Sequence, residues 1–108
     1  MYWNSLQNLK KIKNVGIDRL KEKSLTGSFI HIYTTESCPH CIIFKKNTLD
    51  MLLDKIKGIY GYKLCDVGES SYHLDILQSA GVNQVPTILL FSNGNVKKYT
   101  PEEFLTII

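Results

Sequence analysis

The chain has 108 residues, room for one compact domain. With 44% hydrophobic and 21% charged residues it is composed like a folded globular protein, and no apolar run approaches the roughly 18 residues of a membrane span. The net charge of +3 is small and sits mostly before Ser24, where six of the thirteen basic residues lie, so nucleic acid is not an expected partner. Three cysteines are too few to staple a mini-protein, and stability has to come from a buried core.

Residues 1–27 read as an N-terminal helical segment. Leu6, Leu9 and Ile12, then Ile17 and Leu20, recur at helical spacing, interrupted near Asn14-Val15-Gly16. A basic amphipathic helix can touch a membrane surface or an acidic partner; lysines in water on a helix docked against a sheet are the simpler reading. No apolar h-region follows a basic n-region, and Asp18 and Glu22 interrupt the basic residues, so neither a secretory signal nor a transit peptide is expected. The expected compartment is the reducing cytoplasm.

The remainder, 28–108, reads as the core. Ser28–Thr34 is β-branched and aromatic, as suits a central strand buried on both faces. A helix is predicted from Pro39 to Lys57, with Ile42, Leu49, Leu52, Leu53 and Ile56 on one side and Phe44, Thr48 and Met51 on a second stripe. Such a helix is packed on two sides. Gly58 ends it, and Tyr60–Val67 is a second strand. Ser70 or Ser71 can cap a short helix closed by Gly81. Pro86–Phe91 is a third strand, and Asn93-Gly94 signals a hairpin into Val96–Tyr99. Thr100-Pro101-Glu102-Glu103 opens a short C-terminal helix, with Glu103 placed to complete a capping box. Alternation of helices and strands predicts an α/β fold: a four-stranded mixed sheet flanked by helices, the first strands parallel through crossovers and an antiparallel edge added by the hairpin.

The chemistry lies in Cys38-Pro39-His40-Cys41, where the buried strand gives way to the long helix. A Cys-x-x-Cys at such a junction is the redox form of this spacing. Cys38 falls at the helix amino end, where unpaired N–H groups and the helix dipole favour a thiolate, the nucleophilic form of the sulfur. Pro39 occupies the first helical position without losing a hydrogen bond. Cys41, one turn on, can reach Cys38 and resolve a mixed disulfide. His40 adds a donor or partial positive charge beside the Cys38 sulfur, which is expected to make the pair more oxidising than one with an apolar residue there.

Gly81-Val82-Asn83-Gln84-Val85-Pro86-Thr87-Ile88-Leu89-Leu90-Phe91-Ser92-Asn93-Gly94 resembles the cis-proline segment, strand and hairpin of the thioredoxin-like superfamily. With Cys38-Pro39-His40-Cys41 the resemblance covers the chain from about Ser28 to the end, and it implies the thioredoxin fold and a thiol–disulfide oxidoreductase. By that resemblance Pro86 follows a cis peptide bond and lies against the cysteine pair. Val85 then offers its backbone to an extended substrate segment, and Thr87 faces the substrate or shapes the site. Cys38, Cys41, His40 and Pro39 are the implied catalytic residues; Val85, Pro86 and Thr87 are the implied substrate-binding residues.

This sequence departs from thioredoxins at Ser37, where Trp is usual, and in the strand leading to the motif, which has His31 and Ile32 where an acidic proton acceptor is usual. Ile30–Cys41 is similar to the approach to the glutaredoxin motif. Thr35, however, stands where that family has a glutathione-contacting Lys, and Gln84 where it has Thr. Cys-Pro-His-Cys also resembles the active site of periplasmic thiol oxidases, without their helical insert.

Other readings of the same residues stand beside these. Zinc would want a second ligand pair beside Cys38 and Cys41, so no metal is expected. Cys65 reads as a small buried hydrophobe or a second thiol. His31 reads as a core or sheet-end histidine, and His73 as solvated. Lys45 and Lys46 read as exposed helix lysines, and Tyr33 and Phe44 as either core or groove. The expected partners are protein thiols and disulfides, with a reductase or oxidase exchanging electrons. No organic cofactor is expected, glutathione is a candidate co-substrate, and the chain is expected to be a monomer. A binding module that keeps the fold without turnover is the rival from another class.

Overall fold

A computed structural model describes residues 15–108. The Leu6, Leu9 and Ile12 stripe lies outside the described residues. From there the order is α1 (Val15–Lys23), β1 (Phe29–Thr34), α2 (Pro39–Asn47), α3 (Leu49–Ile56), β2 (Gly61–Asp66), α4 (Ser71–Ser79), β3 (Thr87–Ser92), β4 (Asn95–Tyr99) and α5 (Pro101–Ile107).

The strands form one mixed sheet in the order β2-β1-β3-β4. Side chains alternate across β1, as the twofold period of a strand requires. Ile30 and Ile32 join Phe44, Leu52, Ile56, Ile88 and Phe104 beneath α2, α3 and α5. Tyr33 joins Ile17, Cys65, Leu74, Leu77, Leu89 and Phe91 beneath α1 and α4. Each fully buried Leu or Ile contributes about 1.5–3 kcal/mol over an exposed one, so the two cores sandwich the sheet and fix its register.

β1 is parallel to β2 but antiparallel to β3, which corrects the expectation of parallel pairing through every crossover. Asp66 ends β2 opposite Thr34, and Thr87 begins β3 opposite Tyr33. The chain therefore leaves and re-enters the sheet at one end. The nine residues of α4 rise about 13 Å, short of the roughly 20 Å of a six-residue strand, and Gly81 at φ 75° turns the chain back directly afterwards.

The predicted single helix from Pro39 to Lys57 is two helices, broken at Thr48 (φ −123°, ψ −34°). Each half buries a single face, Cys41 and Phe44 in α2 and Leu52 and Ile56 in α3. Ile42 and Met51 are accordingly about half exposed, at 53% and 48%, and the expectation of packing on two sides does not hold. The break re-aims the apolar stripe, so one face per helix suffices.

The helix caps use the residues expected of them. Ser70 Oγ accepts the N–H of Tyr72 at 3.1 Å. Thr100 Oγ1 accepts from Glu103 N at 3.1 Å while Glu103 Oε1 accepts from Thr100 N at 2.9 Å, a reciprocal box behind Pro101. The hairpin turn has Asn93 at φ 55° and Gly94 at φ 78°, the left-handed pair that a tight β-turn of this hand requires. Its two N–H groups do not point to water. Asn93 N–H donates to Ser24 O (3.1 Å) and Gly94 N–H to Ser24 Oγ (2.8 Å), with Ser24 almost wholly buried just past α1.

Candidate functional site

β1 ends at buried Thr34, buried Thr35 follows, and the chain turns through exposed Glu36 and Ser37 into α2. Cys38 is the N-cap of α2, in extended backbone (φ −91°, ψ 121°), with Pro39 at the first helical position. Its sulfur takes no hydrogen bond from the first turn, but its carbonyl accepts from Ile42 N at 3.1 Å, so the helix starts cleanly at the motif. Cys38 is 5% exposed and Cys41 fully buried behind it. Both are free thiols, one helical turn apart.

Thr35 N–H donates to Cys41 Sγ at 3.4 Å. Burial pushes the Cys41 thiol up to about 11, and the adjoining Cys38 sulfur pushes the same way; the Thr35 N–H and the Lys45 charge pull against them. Ile32 is buried in the apolar cluster beneath α2, with no carboxylate at its position.

The other half of the site is the loop between α4 and β3. The Val85–Pro86 peptide bond is cis. Cys38 Sγ lies 3.8 Å from Val85 O, bringing together residues 47 positions apart. The loop is held at both ends: Lys98 Nζ donates to Gly81 O at 3.2 Å, and Thr87 Oγ1 donates to Gln84 O at 2.6 Å. Thr87 is buried, and its side chain ties the loop together at Gln84. Val85 and Pro86 are half-buried, at the surface beside the sulfur.

His40 and Pro39 are exposed on the first turn of α2. From His40 a groove of about 320 Å³ runs past Ile43, Val85 and Pro86 to Glu102 in the first turn of α5. Ile43 is 56% exposed. Sequence reasoning missed Ile43, Gln84 and Glu102 as groove residues. The first left a signal, an apolar pair directly after Cys41 that no single buried stripe could accommodate. Phe44 and Tyr33, left open between core and groove, are both core; Phe44 also underlies the groove floor.

The remaining candidates sit elsewhere. Cys65 is buried across the sheet, its thiol pushed up to about 11 by burial and 4.0 Å from the Lys63 carbonyl oxygen. His31 Nδ1 and Tyr33 OH are 2.9 Å apart, and the His31 ring packs on Phe29 and Phe91. Burial, then the positive charges of Lys63, His73 and Lys23, lowers His31 to about 4. His73 is not a free surface histidine: it is half-buried and its Nδ1 donates to Asp66 O at 2.9 Å. The described residues hold no group of three or more His, Cys, Asp or Glu that could bind a metal ion, and no helix among them is long and apolar enough to cross a membrane.

The fold has counterparts among solved structures. Mitochondrial thioredoxin 3 from Saccharomyces cerevisiae, in its oxidised form, superposes with a TM-score of 0.64 at 20% identity over 96% of each chain. A Malassezia sympodialis thioredoxin gives 0.61 at 22% identity, covering 83% of this chain and 82% of its own. A structure from work on the thiol-resolving mechanism of a yeast mitochondrial 1-Cys peroxiredoxin gives 0.65 at 19% identity over 94% of each chain. No protein-family model and no curated protein sequence matches the chain. Sheet order, flanking helices and these superpositions define one class: the chain has the thioredoxin fold.

Proposed function

We propose that the protein is a thiol–disulfide oxidoreductase that exchanges disulfides with protein substrates through Cys38 and Cys41. The observation that carries the reading is the meeting of Cys38 with Val85: a cysteine at the amino end of a helix, 3.8 Å from a backbone carbonyl beside a cis proline, with a second free cysteine buried one turn behind it. The half-buried rim of the loop at Val85 and Pro86 leaves room for a substrate sulfur beside Cys38. Val85 presents its backbone to an extended substrate segment as an added strand would, which aligns the incoming disulfide.

In the reducing direction the Cys38 thiolate attacks one substrate sulfur, the substrate S–S bond breaks, and one substrate thiolate leaves and takes up a proton. Cys41 then loses its proton and attacks Cys38 Sγ, closing the Cys38–Cys41 disulfide and releasing the second substrate thiolate. Two electrons pass from the dithiol to the substrate. The reverse sequence oxidises a substrate dithiol. Pro39 stiffens the turn, and His40, exposed beside the pair, favours the reduced form and so raises the potential. A reductase, glutathione or another dithiol restores the couple, and no metal or organic cofactor enters any step.

The test is reduction of insulin disulfides with dithiothreitol as electron source, alongside oxidation of a reduced substrate protein. Turnover in either direction that depends on Cys38 is expected. Its absence in both directions, with the fold intact, overturns the reading in favour of a redox-inactive binding module.

A further inference from the structure

α5 begins with two adjacent carboxylates whose environments diverge. Glu103 is committed to the helix: its Oε1 accepts the N–H of Thr100 and its own N–H is capped by the Thr100 hydroxyl. Glu103 lines a different cavity, on the side of Gly81 and Lys98. Glu102 takes no part in that box. It is exposed, has no hydrogen-bond or ion-pair partner among the described residues, and lines the groove that starts at His40. With the cap already complete, the Glu102 carboxylate is left over as the one acidic group in a groove whose other walls mix apolar Ile43, Phe44, Val85, Pro86 and Pro101 with polar His40, Thr48, Gln84 and Thr100.

Such a groove selects by two properties at once. An apolar side chain next to the reacting cysteine covers Ile43 and Pro86, and a cationic side chain further along meets Glu102. From this charge complementarity we infer that Glu102 is a specificity-determining residue that directs the protein toward disulfides in extended segments carrying a lysine or arginine close to the reacting cysteine. The inference rests on the proposed disulfide exchange at Cys38 and names its substrate class. An exposed ion pair contributes up to about 1 kcal/mol, a preference of about fivefold. It also weakens with salt, because the Debye length shortens to about 3 Å at 1 M.

The experiment is rapid mixing of the reduced protein with three disulfide-linked peptides that differ only in one residue two positions from the cysteine: lysine, glutamine or glutamate. Each second-order rate constant is read for the wild type, Glu102→Gln and Glu102→Lys. The lysine-to-glutamate ratio compares two substrates on one sample, so it is insensitive to any loss of folded protein. The expected ratio is about five at low salt in the wild type, near one in Glu102→Gln, below one in Glu102→Lys, and reduced at about 1 M salt. A wild-type ratio near one, or an unchanged ratio in Glu102→Gln, overturns the inference and leaves disulfide exchange standing. Failure of all three peptides to react with the folded wild type overturns disulfide exchange itself, and the inference with it.

Discussion

Cys38 Sγ sits 3.8 Å from the carbonyl oxygen of Val85, so the sulfur at the start of α2 and the loop entering β3 form one surface. Cys41 is fully buried, whereas Cys38 keeps 5% of its surface exposed. The two thiols therefore have unequal duties in the proposed exchange. Cys38→Ser is expected to abolish reaction with substrate disulfides, down to background. Cys41→Ser is expected to react once and stay joined to its substrate, visible as a covalent adduct in the intact mass. An adduct on Cys41 in the Cys38→Ser protein would reverse the assignment.

The second step has its own pH signature. Cys41 is held up to about 11, mainly by burial, and must shed its proton before it attacks. Resolution of a preformed Cys38 mixed disulfide with a chromogenic thiol should accelerate by about tenfold per pH unit through the neutral and alkaline range. Stopped-flow release of the chromophore measures it. A flat profile would mean that another group takes the proton before the rate is read.

His31 gives the fold an acid-sensitive limb. Its ordinary value is 6.5, and in the folded protein it is lowered to about 4, chiefly by burial. Between those values the unfolded chain binds a proton that the folded chain refuses. Stability present above pH 6.5 is therefore lost as the pH falls toward 4. The thermal midpoint should drop across that window. In His31→Phe, which keeps an aromatic ring beside Phe29 and Phe91, that part of the drop should flatten.

Gly16 is a packing residue on the α1–α4 contact. A Cβ there would lie 2.5 Å from Tyr72 Cε1 and 3.3 Å from Ile76 Cγ1. Glycine to alanine inside a helix ordinarily gains about 0.8–1 kcal/mol, whereas overpacking costs about 1–3 kcal/mol. The crowding should win, and Gly16→Ala should lose about 1 kcal/mol in urea unfolding. Adding Tyr72→Ala should restore the usual gain from alanine, since the closest clash is with that ring.

Local features were the most legible in the amino-acid order. The Ser70 cap, the Thr100–Glu103 box, the Asn93-Gly94 turn and the α2 start at Pro39 each depend on residues within a few positions of one another, and the structure has them. The sheet of four strands followed from their spacing. Three things did not. The break at Thr48 costs no residue in the helical count, so periodicity runs straight through it. The direction of β3 depends on how α4 and Gly81 return the chain, a matter of geometry and not of composition. The groove from His40 to Glu102 joins residues more than sixty positions apart, and nothing in the run Pro101-Glu102-Glu103 tells which carboxylate the cap will leave over.

The clasp between Ser24 and the Asn93-Gly94 turn has a practical corollary for engineering on this scaffold. Because the turn's two amides are spent on the segment that follows α1, opening the hairpin to graft a foreign peptide would loosen the first helix as well as the last strand. A graft placed after Gly58, where an added side-chain carbon would meet nothing within 4 Å, disturbs neither partner.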